Sequence, residues 1–594
     1  MSMRGFRHFL LAASSAVALA APALAAGQSA PAPATSARQE AAGAVTRSAV
    51  QPRPKLVIAI SVDQFSGNLF EAWRGRFTGG LKRLGNQGIT YANGYQTHGA
   101  TETCPGHSTL LTGRHPSNTG IIANGWYDIA SGRDVYCMED TAMRPAHDVQ
   151  ADASEGRSAR NLRVSTVGDW LKAQSPKSRV VAVSGKDRGA LNMGGHKADA
   201  SFWFASGYGF TTSVPAGQSG DAALKPLADF NRSLQASWQA SPPMWTYADE
   251  QCSALEDYWQ FGEKTWRSQV PPVSWQTGSR EDVLKSQYAV SPLLDAATLD
   301  AARVLIEHYK LGQGEATDLL AVSLSATDLV GHRYGTAGPE MCDQMVRLDR
   351  ELGAFLDDLE KLGVPVMVVV SADHGGIDFP ERLAKQGYPT AGRLAPRPWL
   401  EEVNARLRQQ LRLDWNPLTT TDDGTDINQI YVVDRAGKRP AAAVRERGLK
   451  AAVPLINGRT DVAAAYSLET LLETKVDRAK PVDELTLQER FALSTDKERS
   501  GDITVAFGPY QQYKVPRPDR TLTGHGTVWN YDRRVPILFW WPGITPQERP
   551  LPVPTVDIAP TLAHVLGIQP DPTLDGQCRD LADFGNGACP APKW

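Results

Sequence analysis

Five short apolar runs recur along the chain, and they constrain its fold more than any other feature of the sequence. The runs cover residues 56–62, 180–184, 319–324, 364–370 and 537–540. Each is rich in Val, Ile and Leu or in aromatic residues, as strands that are buried on both faces tend to be. We therefore predict that these runs are central strands of a sheet.

Helical periodicity lies between the predicted strands. Residues 341–362 place apolar side chains at steps of three and four, and the pattern ends at Gly363, with Pro365 just beyond. Residues 557–566 form a second, shorter helical pattern. Strands that alternate with helices predict a mostly parallel sheet. Because the apolar runs extend from start to finish, we predict one large α/β domain over residues 55–594.

A polar residue follows each of the first four predicted strands. In chain order these residues are Asp63, Lys186, Asp328 and Asp373. Ligands of open α/β sheets bind at the carboxyl ends of the strands. We therefore expect the four side chains to converge on one site, and this convergence is stronger evidence than any single motif.

Residues 101–107, with the sequence Thr-Glu-Thr-Cys-Pro-Gly-His, offer a hydroxyl nucleophile at a strand-to-helix turn. Thr103 precedes Pro105, and proline suits the first turn of a helix. The start of that helix would present backbone N–H groups to an anion. Alternatively, Thr103 could serve only as an N-cap. Cys104 could itself be the nucleophile, but it has no clear histidine partner, and we expect it to pack or to form a disulfide.

Carboxylates and imidazoles occur together at two places in the chain. Asp328 and His332 are four residues apart, which puts both side chains on one face of a helical turn. Asp373 and His374 are adjacent, and His525 lies in a glycine-flanked loop. Each feature alone could be a surface pair or a structural histidine. Together they predict a divalent metal centre, because oxygen and nitrogen ligands of this kind suit an ion such as zinc.

Three further side chains suit a phosphoryl group. Asn124 can donate an amide hydrogen bond, while Lys186 and Arg188 project two cations from one strand end. Two such cations suit a dianionic monoester better than a monoanionic diester. A metal ion can lower the pKa of a hydroxyl group and neutralise a phosphoryl oxygen. The sequence therefore predicts metal-assisted phosphoryl transfer through a covalent intermediate on Thr103.

The amino-terminal residues are typical of an export signal. Arg4 and Arg7 precede a short apolar run that ends in a small-residue cleavage site, so we predict a signal peptide over residues 1–25. Residues 26–54 are rich in Ala, Pro, Ser and Gln, as flexible tethers are. The apolar run is too short to span a membrane, and no later run is long enough. We expect a periplasmic or secreted protein.

Export permits disulfides, and the chain has six cysteines. Sequence alone cannot choose among their pairings. The proximity of Cys578 and Cys589 in a tail rich in Gly, Pro and Asp favours that pair. The net charge is −3, and there is no basic stripe, so we expect no nucleic-acid partner.

Two regions fit the core pattern poorly, and we predict that both are insertions that form a cap beside the site. Residues 200–300 are rich in tryptophan, and residues 377–500 mix Pro, Arg and helical stretches. The tryptophans could stack a substrate, but packing within the cap is the favoured interpretation. Residues 422–426 have a calcium-like density of carboxylates but miss the EF-hand spacing. A solvated turn is favoured there.

Together these motifs resemble the alkaline phosphatase superfamily, most closely its phosphate-irrepressible, PafA/PhoK-like members with a threonine nucleophile. The resemblance runs from about residue 55 to about residue 567. It implies a three-layer α/β/α core, two zinc ions and alkaline phosphatase activity on small-molecule phosphate monoesters. The implied ligands of one zinc are Asp328, His332 and His525, those of the other are Asp63, Thr103, Asp373 and His374, and those of the phosphate are Asn124, Lys186 and Arg188.

Two other functions compete with this one. The Thr-x-Pro-Gly-His motif is also similar to that of nucleotide pyrophosphatase/phosphodiesterases, although those enzymes lack the pair formed here by Lys186 and Arg188. The second alternative is a non-catalytic periplasmic binding or structural protein on a degenerate phosphatase fold, but no proposed ligand or nucleophile is missing. We predict an exported, monomeric, zinc-dependent phosphomonoesterase.

Overall fold

The computed structural model describes residues 50–421, 428–513, 516–517 and 520–591. The predicted signal peptide, most of the predicted tether and the acidic segment 422–426 lie outside the described residues. Within those ranges, no helix combines the length and the apolar character needed to cross a membrane.

The strands form one large central sheet and several smaller sheets. In chain order they are β1 (Leu56–Val62), β2 (Ile89–Tyr95), β3 (Gly125–Asp128), β4 (Arg133–Tyr136), β5 (Met143–Pro145), β6 (Val180–Ser184), β7 (Ala200–Ala205), β8 (Gly209–Thr211), β9 (Ser213–Pro215), β10 (Asp257–Phe261), β11 (Lys264–Ser268), β12 (Asp318–Leu324), β13 (Val366–Ser371), β14 (Gly392–Arg393), β15 (Leu418–Thr419), β16 (Gln429–Val432), β17 (Val462–Ser467), β18 (Ile503–Phe507), β19 (Gln511–Gln512), β20 (Arg534–Trp540), β21 (Gln547–Glu548) and β22 (Val553–Pro554).

The α-helices lie between these strands. In chain order they are α1 (Gly67–Arg74), α2 (Gly80–Gln87), α3 (Thr103–Leu110), α4 (Pro116–Thr119), α5 (Val167–Gln174), α6 (Asp187–Gly194), α7 (Asp221–Leu224), α8 (Ala228–Ala240), α9 (Val273–Thr277), α10 (Arg280–Asp282), α11 (Leu293–Tyr309), α12 (Ala326–Tyr334), α13 (Pro339–Lys361), α14 (Pro380–Lys385), α15 (Pro396–Leu411), α16 (Ala442–Asn457), α17 (Leu468–Glu473), α18 (Leu487–Ala492), α19 (Asn530–Arg533) and α20 (Ile558–Leu566).

The central sheet has the strand order β21-β2-β20-β13-β1-β12-β6-β7-β8, with β22 also paired to β2. The five strands from β13 to β7 are parallel to one another. Strand β20 is antiparallel to both of its neighbours, β13 and β2, and β8 is antiparallel to β7. All five predicted runs are strands of this sheet, so the prediction of a mostly parallel sheet is confirmed.

Five strands of the central sheet were not predicted, namely β2, β7, β8 and the two-residue strands β21 and β22. Strand β2 contains Asn93 and Gly94, which interrupt its apolar run and coincide with an irregular register against β20. Strands β7 and β8 lie at the start of the region predicted as a cap insertion, yet they extend the central sheet. The sequence signal failed there because these strands are at the end of the sheet and lack a long Val/Ile/Leu run.

Alternate residues of β1 face opposite helical layers. Leu56, Ile58 and Ile60 pack in the cluster that includes buried side chains of α11 and α13, whereas Val57 and Ala59 pack in the cluster that includes α5 and α20. Burial of each such Leu or Ile side chain is worth about 1.5–3 kcal/mol. The two clusters on opposite faces of one sheet make the predicted three-layer α/β/α core.

The predicted cap regions contain further buried clusters. Strands β15, β16, β18 and β17 form a separate four-stranded sheet, whose core includes Trp399 and Leu407 of α15. In the other region, Trp238, Trp245 and Trp275 are buried in the main core. The rings of Trp245 and Trp275 meet edge to face, with centroids 6.3 Å apart. These tryptophans pack inside the protein, as was favoured over substrate stacking, but they lie in the main core and not within a separate cap as predicted.

All six cysteines form disulfides. The pairs are Cys104–Cys137, Cys252–Cys342 and Cys578–Cys589. The predicted pair in the carboxyl-terminal tail is confirmed. Pairing of Cys104 excludes its thiol as the nucleophile in this state of the protein. The Cys104–Cys137 disulfide joins the start of α3 to the residue that follows β4.

Candidate active site

Four of the predicted site residues follow four adjacent strands. In the sheet order β13, β1, β12, β6, the residues that follow are Asp373, Asp63, Asp328 and Lys186. Because the four strands are parallel, their carboxyl ends share one edge of the sheet. All four residues are buried there.

Two more residues reach the same edge through β2 and β20. Both β13 and β2 are antiparallel to β20, so β2 runs in the same direction as β13. The chain that leaves β2 leads to Thr103, the first residue of α3. His525 precedes β20, whose amino end lies at this edge. The sheet topology therefore brings together residues that are more than four hundred positions apart.

One group of possible metal ligands is formed by Asp328, His332 and His525. The Oδ1 atom of Asp328 lies 3.3 Å from Nε2 of His332 and 3.2 Å from Nε2 of His525. Asp328 and His332 share one face of α12, as their spacing predicted. One oxygen and two nitrogen atoms therefore face a common point.

A second group is formed by Asp63, Asp373 and His374. Nε2 of His374 lies 3.4 Å from Oδ1 of Asp63 and 3.3 Å from Oδ2 of Asp373. This group adjoins the first, because donor atoms of Asp63, Asp328 and His374 all lie within 4.8 Å of one another. The rings of His374 and His525 are stacked, with centroids 3.6 Å apart.

Several donor atoms of these groups are buried but make no hydrogen bond within the protein. They are Oδ1 of Asp63, Oδ1 of Asp328, Nε2 of His374 and Oγ1 of Thr103. A buried polar atom that lacks a partner costs about 1–3 kcal/mol. Their concentration at one point therefore indicates a ligand site, and metal ions would satisfy all of these atoms.

The other ring nitrogens of the three histidines fix the orientation of the rings. Nδ1 of His332 donates to the Thr523 carbonyl at 2.8 Å, and Nδ1 of His525 donates to the Thr101 carbonyl at 2.8 Å. Nδ1 of His374 lies 2.9 Å from its carbonyl partner in the next residue. Because Nδ1 carries the proton, the lone pair of Nε2 is free to bind a metal ion.

Burial shifts the pKa values of three of the candidate ligands, His332, His374 and Asp63. Burial lowers the pKa of His332 to about 4 and that of His374 to about 3, although a neighbouring aspartate favours the charged form in each case. Both rings are therefore neutral at ordinary pH, as metal ligands must be. Burial and the charge of Asp373 raise the pKa of Asp63 well above its usual value. A bound cation would relieve that cost.

Lys186 lies among the carboxylates. Its Nζ atom is 2.6 Å from Oδ2 of Asp63 and 2.5 Å from Oδ2 of Asp328. Burial alone would lower the pKa of Lys186, but these two aspartates raise it above its usual value. The ammonium group therefore contacts two predicted metal ligands, a role that the sequence motif did not indicate.

The other predicted phosphate ligands lie beside the start of α3. Oδ1 of Asn124 accepts a hydrogen bond from the backbone N–H of Cys104, 2.8 Å away. Arg188 is in the first turn of α6, and its guanidinium Nε is buried without a partner. Burial alone would lower the pKa of Arg188, but Tyr136, Asp187 and Asp63 raise it. Both side chains thus keep donor atoms for a ligand.

Thr103 is not the N-cap of its helix. Glu102 holds that position, and Thr103 is the first helical residue, with 1 % of its surface exposed. The N-cap alternative is therefore wrong. A buried hydroxyl without a hydrogen bond, at a helix start, suits the role of nucleophile that was predicted.

His107 is a site residue that sequence reasoning missed. Its Nδ1 atom lies 3.0 Å from the Thr103 carbonyl oxygen and 2.9 Å from Oδ2 of Asp373, and its Nε2 atom lies 2.9 Å from Oγ of Ser323. It therefore links α3 to the Asp373 loop and to β12. The four-residue spacing of Thr103 and His107 could have indicated this role, because it places both on one helix face.

Gly106 allows the close approach of α3 to the backbone of Asp373. A Cβ atom at this position would lie 2.0 Å from the carbonyl oxygen of Asp373. Any side chain would therefore push the helix, and Thr103 with it, away from the Asp373 loop. The glycine of the Pro-Gly-His sequence thus has a packing role.

The three-layer fold and the cluster of candidate metal ligands near Thr103 suit a hydrolase of the phosphoryl-transfer class. Residues 57–514 match the profile of the type I phosphodiesterase / nucleotide pyrophosphatase family, and the chain belongs to this family.

Within this family, the chain is similar to several proteins that are named alkaline phosphatases. The chain is 38% identical over 543 residues to the alkaline phosphatase PhoD of Zymomonas mobilis, covering 90% of this chain and 89% of that protein. It is 37% identical over 551 residues to the alkaline phosphatase PhoK of a Sphingomonas species, covering 91% of this chain and 94% of that protein. The crystal structure of the alkaline phosphatase PafA matches with a TM-score of 0.74 at 28% identity, covering 88% of this chain and 97% of that chain.

These similarities confirm the resemblance drawn from the sequence. The chain is a PafA/PhoK-like phosphatase of the alkaline phosphatase superfamily, with the corresponding three-layer fold.

Proposed function

We propose that this phosphatase is an exported, two-zinc enzyme that hydrolyses phosphate monoesters through a phosphothreonine on Thr103. The observation that carries the proposal is the convergence of unpartnered, buried donor atoms on two adjoining points beside the unpartnered Thr103 hydroxyl. The PafA/PhoK-like relatives are named alkaline phosphatases, which supports the same reaction here.

The donor separations suit zinc. Two ligands that are each about 2.0 Å from a tetrahedral zinc ion lie about 3.3 Å apart. The four separations between histidine nitrogens and aspartate oxygens are 3.2–3.4 Å. We propose that Asp328, His332 and His525 hold one zinc and that Asp63, Thr103, Asp373 and His374 hold the other.

Side chains of this protein would carry out two successive displacements. When bound, the zinc ions would lower the pKa of the Thr103 hydroxyl and of a water molecule, and would neutralise charge on the phosphoryl group. Oγ1 of Thr103 attacks phosphorus in line, the bond from phosphorus to the leaving alcohol breaks, and phosphothreonine forms. Water then attacks the phosphothreonine, inorganic phosphate leaves, and the Thr103 hydroxyl is restored.

Three side chains would bind the phosphoryl oxygens during both steps. Asn124 donates from its amide, Arg188 can contact two oxygens at once, and Lys186 adds a compact positive charge. Donors that are already in place stabilise the charge that develops in the transition state. Lys186 would act between the phosphoryl group and the aspartates that it contacts.

Export is supported by the leader-like residues 1–25 and by the three disulfides, which form in oxidising compartments. We propose a periplasmic or secreted location. We also propose that the enzyme is a monomer and that its substrates are small molecules.

A substrate panel and metal analysis of the same purified sample test the proposal. We expect hydrolysis of monoesters, two zinc ions per chain, loss of activity on chelation and recovery on addition of zinc. Active protein without a tightly bound transition metal would contradict the metal assignment.

The family profile also supports a second candidate, a phosphodiesterase or nucleotide pyrophosphatase. A monoester and a diester with the same leaving group distinguish the two. Higher kcat/KM for the diester would favour the second candidate. Hydrolysis of neither ester by zinc-loaded protein would favour a non-catalytic binding protein.

A further inference from the structure

The side chain of Asn124 has a fixed orientation. Its Oδ1 atom accepts from the backbone N–H of Cys104 at 2.8 Å. Because a backbone N–H can only donate, the amide oxygen must face the start of α3 and the NH2 group must face elsewhere. Among the described residues, none accepts a hydrogen bond from this NH2 group. It therefore remains available to a phosphoryl oxygen.

The backbone of Asn124 is also held at both of its polar groups. Its N–H donates to Oε2 of Glu102 at 2.6 Å, and its carbonyl accepts from the N–H of Cys137 at 2.9 Å. Glu102 and Cys104 flank Thr103 directly in the sequence. The nucleophile and the phosphate-binding amide, twenty-one positions apart, are thus joined by short hydrogen bonds on both sides of the nucleophile.

Glu102 does not use its carboxylate to cap its own helix. It is the N-cap residue of α3, but no side-chain hydrogen bond to the helix is present. A short acidic side chain at an N-cap normally accepts from the N–H groups of the first turn. Here the carboxylate reaches instead across to Asn124, in a half-buried position.

We propose that Glu102 is a positioning residue, whose carboxylate sets the distance between the Asn124 amide and a phosphoryl group on Thr103. The proposal rests on the proposed function and deepens it. Asn124 lies in a segment without regular structure between α4 and β3, so its position depends on these hydrogen bonds. Small displacements of a binding group lower catalytic efficiency strongly, because the donor must meet the transition state in one geometry.

Single substitutions separate positioning from helix capping. Glu102→Ala should lower kcat/KM for a monoester by about ten- to hundredfold, the effect expected for a hydrogen bond to a charged group. Glu102→Gln keeps an acceptor oxygen at the same reach and should recover most of that loss. Glu102→Asp keeps the charge and suits an N-cap, but it is one methylene shorter and should resemble Glu102→Ala. Glu155→Ala, at an exposed position, is the control.

A double-mutant cycle tests whether the effect passes through Asn124. In the Asn124→Ala background, Glu102→Ala should cause little further loss, because the group that it positions is absent. The same cycle can be run on binding of inorganic phosphate by calorimetry, which needs no turnover. Melting temperatures of all variants establish that they are folded.

Three results would overturn the inference. They are wild-type activity of Glu102→Ala or of Glu102→Asp, equal losses from Glu102→Ala with and without Asn124, and phosphate affinities that show no coupling between the two positions. If wild-type protein hydrolyses no monoester, the proposed function fails, while the phosphate titrations still decide the role of Glu102.

Discussion

The proposed metal-binding side of the site (the metal side) and its proposed phosphate-binding side (the phosphate side) are positioned by different parts of the fold. On the metal side, Asp63, Asp328 and Asp373 lie within four residues of the carboxyl ends of adjacent parallel strands. On the phosphate side, Asn124 comes from an irregular segment that is held by hydrogen bonds to Glu102 and Cys104.

This difference predicts how each side of the site responds to substitutions. The sheet fixes the metal ligands through buried hydrogen-bonded strands, so their backbone positions depend on the whole core. The position of Asn124 depends on a few local hydrogen bonds and on the link between Cys104 and Cys137. We expect substitutions on the metal side to affect metal binding, and substitutions on the phosphate side to affect rate and substrate preference at unchanged metal content.

The largest loss of activity is expected for substitution of Thr103, which belongs to both the metal side and the phosphate side. Thr103→Ala should lower kcat/KM for monoesters by at least about a thousandfold, because the covalent pathway is lost. The melting temperature should change little, since the hydroxyl makes no hydrogen bond within the protein. Steady-state kinetics and thermal unfolding measure both quantities, with the exposed Thr141→Ala as the control. An active Thr103→Ala enzyme would refute the assignment.

The next largest loss of activity is expected from substitutions of the two cations on the phosphate side, Lys186 and Arg188. A monoester carries about one more negative charge than a diester near neutral pH. Removal of both Lys186 and Arg188 by substitution with Ala should lower monoester kcat/KM by at least about a hundredfold, and diester kcat/KM by much less.

Kinetics with a matched monoester and diester check the effect of that double substitution. If the two cations only support the fold, both substrates should lose equally and the melting temperature should fall. The two single variants distinguish the role of Lys186 from that of Arg188. Lys186→Ala should also change zinc affinity, because Lys186 contacts Asp63 and Asp328, whereas Arg188→Ala should leave zinc affinity unchanged.

A smaller loss of metal affinity or activity is expected for substitution of His107, which contacts both Asp373 and the backbone of Thr103. His107→Ala removes the side chain that contacts both Asp373 and the Thr103 carbonyl. Loss of such an outer partner of a metal ligand costs about 10–100-fold in metal affinity or activity. Competition with a zinc chelator measures the affinity, and the exposed His308→Ala is the matched control. Unchanged zinc affinity and kcat would show that His107 has no such role.

The smallest effect concerns stability rather than catalysis. Asp295 of α11 accepts hydrogen bonds from the Ala326 N–H and from Gln344, each at 2.9 Å. Burial raises the pKa of Asp295 from 3.8 to about 7. Between these values the folded protein binds a proton that the unfolded chain does not. The free energy of unfolding should therefore fall as pH rises from about 4 to about 7, by at most about 1.4 kcal/mol per pH unit.

Asp295→Asn should remove that part of the pH dependence, because the amide does not titrate. Urea unfolding at several pH values, compared with wild type under the same conditions, measures the slope. Asp300→Asn, an exposed position on the same helix, should behave as wild type does. Equal slopes for Asp295→Asn and wild type would show that Asp295 does not hold the proton.

Much of the metal side could be predicted from the sequence, because its signals are local. Asp63 and Asp373 come shortly after apolar runs, and a four-residue spacing joins Asp328 to His332. Such runs and spacings follow from strand burial and helix geometry. Strand β2 was missed, because Asn93 and Gly94 interrupt its pattern.

The contacts of the phosphate side could not be predicted, because they join distant segments. The reach of Glu102 to Asn124 depends on how the chain after α4 returns to the start of α3. The contact of Lys186 with Asp63 and Asp328 likewise depends on the order of three strands in the sheet. Neither has a spacing in the sequence that would indicate it.

The central claim is that phosphoryl transfer passes through Thr103, and one measurement tests it most directly. Zinc-loaded enzyme is quenched in acid during monoester turnover, and its peptides are mapped by mass spectrometry. We predict one phosphoryl group on Thr103, which is absent from Thr103→Ala protein treated in the same way. A phosphoryl group on any other residue, or one that persists when Thr103 is replaced, would contradict the account.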